Sequence, residues 1–368
     1  MNNNIIVKGK ISKRTYCPKC FSIVTWNDSS IEKNGMTKCP SCGGAIDCSK
    51  AEVSFSEIIE DKEVAAIVNG VAYKADQLEE VLTSLGTEGG YCKFNANLTL
   101  TKTLCFKNAE TEIDLDNYTL DCGNNAIDIK DGATLIINSN KEGKITASGD
   151  HVMRVENNAT LIINSGTIES ANWGMDIVNK SKAIVNGGTI TTKEACIIPA
   201  SYSSVTINDG ELSSADNFVV GVSGRQDESG KTKFITINGG KIISKKPTSA
   251  GYISCGIYSP SATEIILNGG EIISEDGCGI LMRAGKVECN GTIIKAKGNS
   301  EGWVGDKKQT IKCDGIAYDS KANYPDKETL KLIISKNAQI TSENAQKIGI
   351  YLADGDVTNI IDKSEKEE

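Results

Sequence analysis

The chain has 368 residues, with 48 acidic against 40 basic side chains and a formal net charge of −8. That length suits two or three compact domains or one long repeat array. No stretch approaches the roughly 18 apolar residues of a membrane span. The opening MNNNIIVKGKISKR has too short an apolar run for a secretory signal. Synthesis in the cytosol without a signal peptide is therefore expected.

Residues 1–50 carry eight Lys/Arg against three Asp/Glu, leaving 32 against 45 in the remainder. A basic head on an acidic body predicts that the head docks on something anionic. Within the head, Cys17-Pro-Lys-Cys20 and Cys39-Pro-Ser-Cys42 form two knuckles. Paired thiolates at this spacing predict a structural Zn²⁺ held by Cys17, Cys20, Cys39 and Cys42. Four thiolates leave no open coordination position, which argues against catalytic zinc. The turn after the second knuckle, Gly43-Gly44, leaves backbone N–H groups able to point at sulfur. Residues 1–50 thus read as a zinc ribbon with a basic N-terminal tail.

Residues 51–90 read as a linker and an N-terminal cap. VAAIVNGVAY predicts two short strands around an Asn-Gly turn. ADQLEEVLTSLG predicts a helix with Leu78, Val81, Leu82 and Leu85 on one face and Gly86 as its stop.

Residues 91–361 read as one repeat array, in which a phrase recurs every 22 to 30 residues between Thr134 and Val287. It reads TLIINSGTIES from Thr160, AIVNGGTITT from Ala183, ITINGGKIIS from Ile235 and EIILNGGEIIS from Glu264. Such a period means one structural unit stacked on itself. Each phrase is two alternating strands around a tight bend, for which Asn-Gly and Gly-Gly supply the positive torsions. A third strand follows, as in GMDIVN from Gly174 and CGILMR from Cys278. Three strands per turn predict an all-β fold, a right-handed parallel β-helix of about ten coils at ~4.8 Å each, on the order of 50 Å tall. The recurring Asn138, Asn164, Asn186, Asn208, Asn238, Asn268 and Asn290 are predicted to stack as an amide ladder. Residues 362–368, DKSEKEE, read as a charged tail.

Several side chains could carry chemistry on this rod. Aligning NAIDIK, HVMRVE and WGMDIV places Asp128, Arg154 and Asp176 on the outer face of three successive coils, with Ile197 next. The two carboxylates would lie about 9.6 Å apart, near the upper limit for an inverting pair. The same column also reads as a cross-strand charge ladder with only a structural role. Eight cysteines outside the head sit mostly at apolar strand positions without paired spacing. They read as small buried hydrophobes of a reducing compartment, and the one histidine, His151, leaves little to activate a thiol. Trp173, Tyr252 and Tyr258 flank strands. The interval from Gly298 to Thr329 exceeds a regular coil and contains Trp303, Tyr318 and Tyr324. Long loops on a regular scaffold tend to be functional, so Trp173, Trp303, Tyr318 and Tyr324 are the candidate binding residues. The polar stretch SGRQDESGKTK from Ser223 reads as solvated.

The segments IVNGVAYKADQLEEVLTSL, ANLTLTKTLCFKNAETEIDLDNYTLDC and NNAIDIKDGATLIIN resemble pectate-lyase-like β-helix proteins of gut bacteria and their phages. In those an Asn-Gly strand and a short helix lead into a "DLNG-x-TL" phrase; here the phrase is DLDNYTL, with Asp116-Asn117 in place of Asn-Gly. The resemblance covers roughly residues 64–300. It implies the fold and, for most such proteins, a surface, fibre or decoration role. The expected function is a structural or adhesion protein. As a phage virion component it would be anchored through residues 1–50 to other virion proteins, with the rod binding glycans or protein. The alternative is a polysaccharide lyase or hydrolase using Asp128, Arg154 and Asp176. A nucleic-acid-binding ribbon is a weaker third reading, because an acidic rod repels phosphate. Homo-oligomerisation, as a trimer, is a further expectation.

Overall fold

The structure is a computed structural model that describes residues 11–16, 23–26, 36–39, 42–47, 52–55, 64–223, 225–248, 251, 253–303, 310–321 and 330–364. It is almost entirely β, built from parallel strands in three stacked sheets. Each coil contributes one strand to each sheet. In one coil these are Thr134–Asn138 on the first wall, Lys144–Ala147 on the second and His151–Val155 on the third. The next coil repeats the set in parallel register, with Thr160 on Thr134, Thr167 on Lys144 and Arg154 beneath Asp176. The second and third walls have ten strands each, so ten coils are complete, and Thr358–Asp362 adds a last strand to the first wall. This is the topology of a parallel β-helix, with the strands running from Gly90 to Asp362. Among the described residues no helix is long and apolar enough to cross a membrane.

The inward faces explain why the coils stack. On the second wall Leu120, Ile145, Ile168, Ile190, Leu212, Ile242, Ile272, Ile294 and Ile340 follow one another in register. All are buried in one continuous core. Each such side chain contributes roughly 1.5–3 kcal/mol relative to leaving it exposed.

The amide ladder forms as the repeat predicts. Nδ2 of Asn164 donates to Oδ1 of Asn138 at 3.0 Å, and the same bond continues through Asn186, Asn208, Asn238, Asn268 and Asn290 at 2.7 to 3.0 Å. Below it, Asn138 donates to the buried Glu112 carboxylate at 2.8 Å. The corner leaves no room for side chains behind the amide. A Cβ on Gly269 would lie 2.5 Å from the Asn238 carbonyl oxygen. Gly270 has φ +78°, and its Cβ would lie 2.8 Å from the Gly239 backbone. Gly270→Ala is therefore expected to cost about 2–3 kcal/mol, from backbone strain plus the clash. Gly355, with φ +85° and open space around it, serves as control: Gly355→Ala should cost only about 1 kcal/mol. Urea unfolding of the two variants checks this; equal losses would mean that the corner relaxes around the methyl group.

The cap closes the first coil. Strands Ala66–Val68 and Val71–Tyr73 pair antiparallel around Asn69 and Gly70, at φ 50° and 82°. Ala66–Val68 also pairs with Gly90–Phe94, which joins the hairpin to the first wall. The helix Ala75–Glu88 buries Leu78, Leu82 and Leu85, with Val81 partly buried beside them. Gly86 does not stop the helix, which runs on to Glu88. A Cβ there would lie 2.2 Å from the Cys105 carbonyl oxygen, so glycine lets the helix lie directly on the first third-wall strand. Glu79 then clamps the helix to the coil, accepting from the Thr101 hydroxyl and amide at 2.7 Å and the Lys102 amide at 3.0 Å.

In the head, Ile11–Tyr16 pairs antiparallel with Ile23–Trp26 and with Glu52–Phe55. The head sheet therefore extends past the expected boundary at residue 50. A separate hairpin pairs Met36–Lys38 with Ala45–Asp47. At the other end Asp362 belongs to the last strand, and its carboxylate takes Lys347 at 2.6 Å and the Ser364 hydroxyl at 2.7 Å. The predicted tail thus begins inside the fold; residues 365–368 lie outside the described residues.

Candidate functional site

The third wall brings the predicted charged column together. Asp128, Arg154 and Asp176 are register partners on consecutive strands. Cys105 lies below Asp128, and Ile198, one residue beyond the expected Ile197, lies above Asp176. The ion pairs run differently from a simple Asp–Arg–Asp ladder. Asp128 takes Lys130 of its own strand at 2.8 Å, Lys130 reaches Glu156 at 3.2 Å, and Glu156 takes Arg154 at 3.2 Å. Residues two apart share a face of a strand, so same-strand partners compete directly with cross-strand ones. The Lys130 ammonium is pushed up to about 12, chiefly by its hydrogen bond to Asp128.

These groups line a groove of about 400 Å³ with Thr103, Asn124, Asn125, Asp150 and His151. Its floor is an alternation of fixed carboxylates, cations and amides, suited to a hydroxyl-rich ligand. Asp176 stands apart. It is half-buried and has no hydrogen-bond partner among the described residues. Burial raises its carboxyl above the usual range, against the opposing pull of His151 and Arg154.

Trp173 sits one coil above His151 on the same column. Its ring tilts against Phe218 at 6.2 Å between centroids, and Phe218 stacks on Tyr258 at 5.0 Å. With Ile253, Leu281, Ile311 and Ala317 these rings make a second apolar cluster on the outside of the third wall. The long interval closes over this cluster. Its short strands Glu301–Gly302 and Ile311–Lys312 pair antiparallel. The half-buried Trp303 exchanges backbone hydrogen bonds with Gly251 and Ile253. A Cβ on Gly251 would lie 2.6 Å from the Trp303 ring, which shows how tightly the ring is seated.

Tyr318 does not join the loop aromatics. It lies in the regular third-wall strand Ile316–Asp319, paired between Gly277–Met282 and Ile348–Tyr351, and is buried in the main core at 2 % exposure. The interval from Gly298 to Thr329 thus contains a regular third-wall strand. Tyr252 and Tyr324 lie outside the described residues.

The polar stretch from Ser223 is likewise not simply solvated. It folds through a 3₁₀ turn at Gln226–Glu228 and sends Glu228 and Lys233 inward, to 5 % and 0 % exposure. Burial opposes ionisation of Glu228. The Ser201 hydroxyl and amide, both at 2.6 Å, and Lys233 at 3.3 Å together hold its carboxyl below the usual range.

In the head, Cys17 and Cys20 lie outside the described residues. Cys39 and Cys42 are in place at the tip of the Met36–Asp47 hairpin. The Cys39 amide donates to the Gly44 carbonyl at 2.9 Å, and the Gly43 amide to the Cys39 carbonyl at 2.8 Å. The Gly44 N–H points at the Cys42 sulfur at 3.4 Å. An amide aimed at sulfur stabilises a thiolate, so the described half fits a metal knuckle. Among the described residues alone, no group of three or more His, Cys, Asp or Glu side chains could hold a metal ion.

The rod cysteines are mostly buried. Burial pushes the thiols of Cys122, Cys196 and Cys289 up to about 12, which leaves them protonated and inert at neutral pH.

The fold and these sites define a capped parallel β-helix with a small cysteine-bearing head. Comparisons of the chain with protein-family models, curated proteins and solved structures find no match.

Proposed function

We propose that the protein is a structural or adhesion component of a phage particle, a right-handed β-helical rod held by a zinc-binding head. The rod serves as a glycan- or protein-binding surface, and its parallel crossovers favour the right hand. Cys17, Cys20, Cys39 and Cys42 hold one structural Zn²⁺, and residues 1–50 dock on other virion proteins through their excess of lysine. The observation that carries this reading is the pairing of Asp128, Lys130, Glu156 and Arg154 with one another. Charges committed to neighbours orient a ligand and stabilise a wall, whereas catalysis asks for a carboxyl free to exchange a proton.

Deleting residues 1–50 is expected to abolish incorporation into particles while the rod stays soluble. Normal incorporation would move the anchor to the rod. The second reading, a polysaccharide lyase or hydrolase, is favoured by one observation: Asp176, half-buried, without a hydrogen bond among the described residues and raised by burial, lies close to His151 and Arg154. Under the primary reading the purified protein releases neither reducing ends nor unsaturated uronates from a panel of polysaccharides. Release that disappears in Asp176→Asn, with thermal stability unchanged, would establish the enzyme instead.

A further inference from the structure

Four successive corners between the third and first walls share one backbone conformation. Two consecutive residues take positive φ: Asp131 and Gly132, Asn157 and Asn158, Asn179 and Lys180, Ser201 and Tyr202. Gly, Asn and Asp tolerate this region, whereas a bulky side chain there is strained. Tyr202 is such an outlier, at φ 64° with 48 % of its surface exposed. The strain is held by its surroundings. Ser201 gives both its amide and its hydroxyl to Glu228, and Glu228 is fixed by the buried Lys233. Strain that neighbours over-determine, displaying a large ring to solvent, points to a use for the ring.

The ring borders a pocket of about 340 Å³, completed by Asn157, Asn158, Asn179, Lys180 and Lys231. That volume lies within the roughly 300–1,000 Å³ of small-molecule sites. Two amides are pre-oriented: Asn179 donates to Asn157 at 3.3 Å, and Asn157 donates to Asp131 at 3.0 Å. Lys231 reaches the Glu228 carboxylate only at 3.7 Å, and that carboxylate is already committed to Ser201 and Lys233. Two lysines thus flank an exposed aromatic ring on a rod whose residues outside the head are net acidic.

We infer that this corner binds an anionic sugar unit, a pyranose carrying a carboxylate or a sulfate. The Tyr202 ring stacks on the sugar face, the Asn157 and Asn179 amides take its hydroxyls, and Lys180 and Lys231 take its charge. This deepens the reading of the rod as a glycan-binding surface and rests on it. The site is separate from the His151 groove, which lies on the face of the third wall.

The test is calorimetric titration of the full chain with 3′-sialyllactose, lactose 3′-sulfate and unmodified lactose. At least one acidic sugar should bind about tenfold or more tighter than lactose, and the stronger of the two identifies the anion. Tyr202→Asn places at this corner the residue type found at Asn158. It should keep or raise the melting temperature and weaken the acidic sugar by about tenfold or more. Lys180→Gln with Lys231→Gln should erase the preference for acid. Acidic sugars that bind no tighter than lactose, or absence of binding by all three, overturn the inference. So does Tyr202→Asn with full affinity; if binding then disappears in Arg154→Gln, the glycan reading stands and the groove is its site. Particle incorporation of the chain lacking residues 1–50 reports on the anchor independently of any sugar.

Discussion

Asp319→Leu is expected to destabilise the C-terminal coils by about 3–5 kcal/mol, because it sets an apolar side chain in place of the carboxylate that faces a buried guanidinium. Arg283 and Asp319 are 3 % and 0 % exposed. The Arg283 Nε donates to Asp319 at 3.2 Å, and an Nη donates to the Tyr258 hydroxyl at 2.5 Å. The guanidinium also lies over the Tyr258 ring at 5.3 Å. The leucine additionally removes the acceptor of the Lys321 amide. Arg283, just past the strand Gly277–Met282, thus ties the neighbouring third-wall strands Ser254–Ser259 and Ile316–Asp319 at one point. In a solenoid each coil leans on its neighbours, so the loss should be local. Hydrogen exchange should accelerate in Ile316–Asp319 and Ile348–Tyr351 before it changes in the first coils. The double variant Arg283→Met with Asp319→Leu should recover much of the loss, since no guanidinium is then buried against the leucine. A single variant as stable as the wild type would mean that water reaches the guanidinium and solvates it.

Cys39→Ser, or removal of metal by a chelator, is expected to unfold the head and leave the rod's melting temperature unchanged. Apparent zinc-binding free energies in zinc-finger peptides are about 10–16 kcal/mol at pH 7, and in so small a module that energy is the folding energy. The head strands Met36–Lys38 and Ala45–Asp47 are three residues each. A hairpin of that size is marginal in water on its own. The rod, in contrast, has its own core from the cap to the last coil. Elemental analysis should find one zinc per chain, and amide protection in the hairpin should vanish in the variant. Zinc-free protein after purification without chelators, with the hairpin still protected, would remove the metal from this account.

The repeat phrase and the alternating segment after it are sufficient to predict the coil, its three strands and the seven-membered asparagine ladder. Those features are local: a period-two pattern sets which side chains point inward, and an Asn-Gly corner sets where the chain bends. Parallel register then stacks like on like, so Asn138 to Asn290 had to meet once the coils formed. The juxtaposition of Asp128, Arg154 and Asp176 followed from the same register. Which partner each charge takes did not, because Lys130 and Glu156 compete at similar distances from the same face.

Tertiary packing decided the rest. Gly86 looked like a helix stop, but its role is close approach to the Cys105 carbonyl. Tyr318 looked like part of a loop because an irregular interval surrounds it, yet it pairs with a strand more than thirty residues earlier. The stretch from Ser223 looked solvated by composition, but Ser201 and Ser261 from other coils supply hydrogen bonds that let Glu228 and Lys233 be buried. Tyr202 carried no signal at all, since its importance lies in a backbone angle and a neighbouring loop rather than in any motif. Alternation and turn chemistry act over a few residues and can be read along the chain. Burial, ion pairing and pocket formation depend on which distant segment covers a wall, and that is determined only when the coils are assembled.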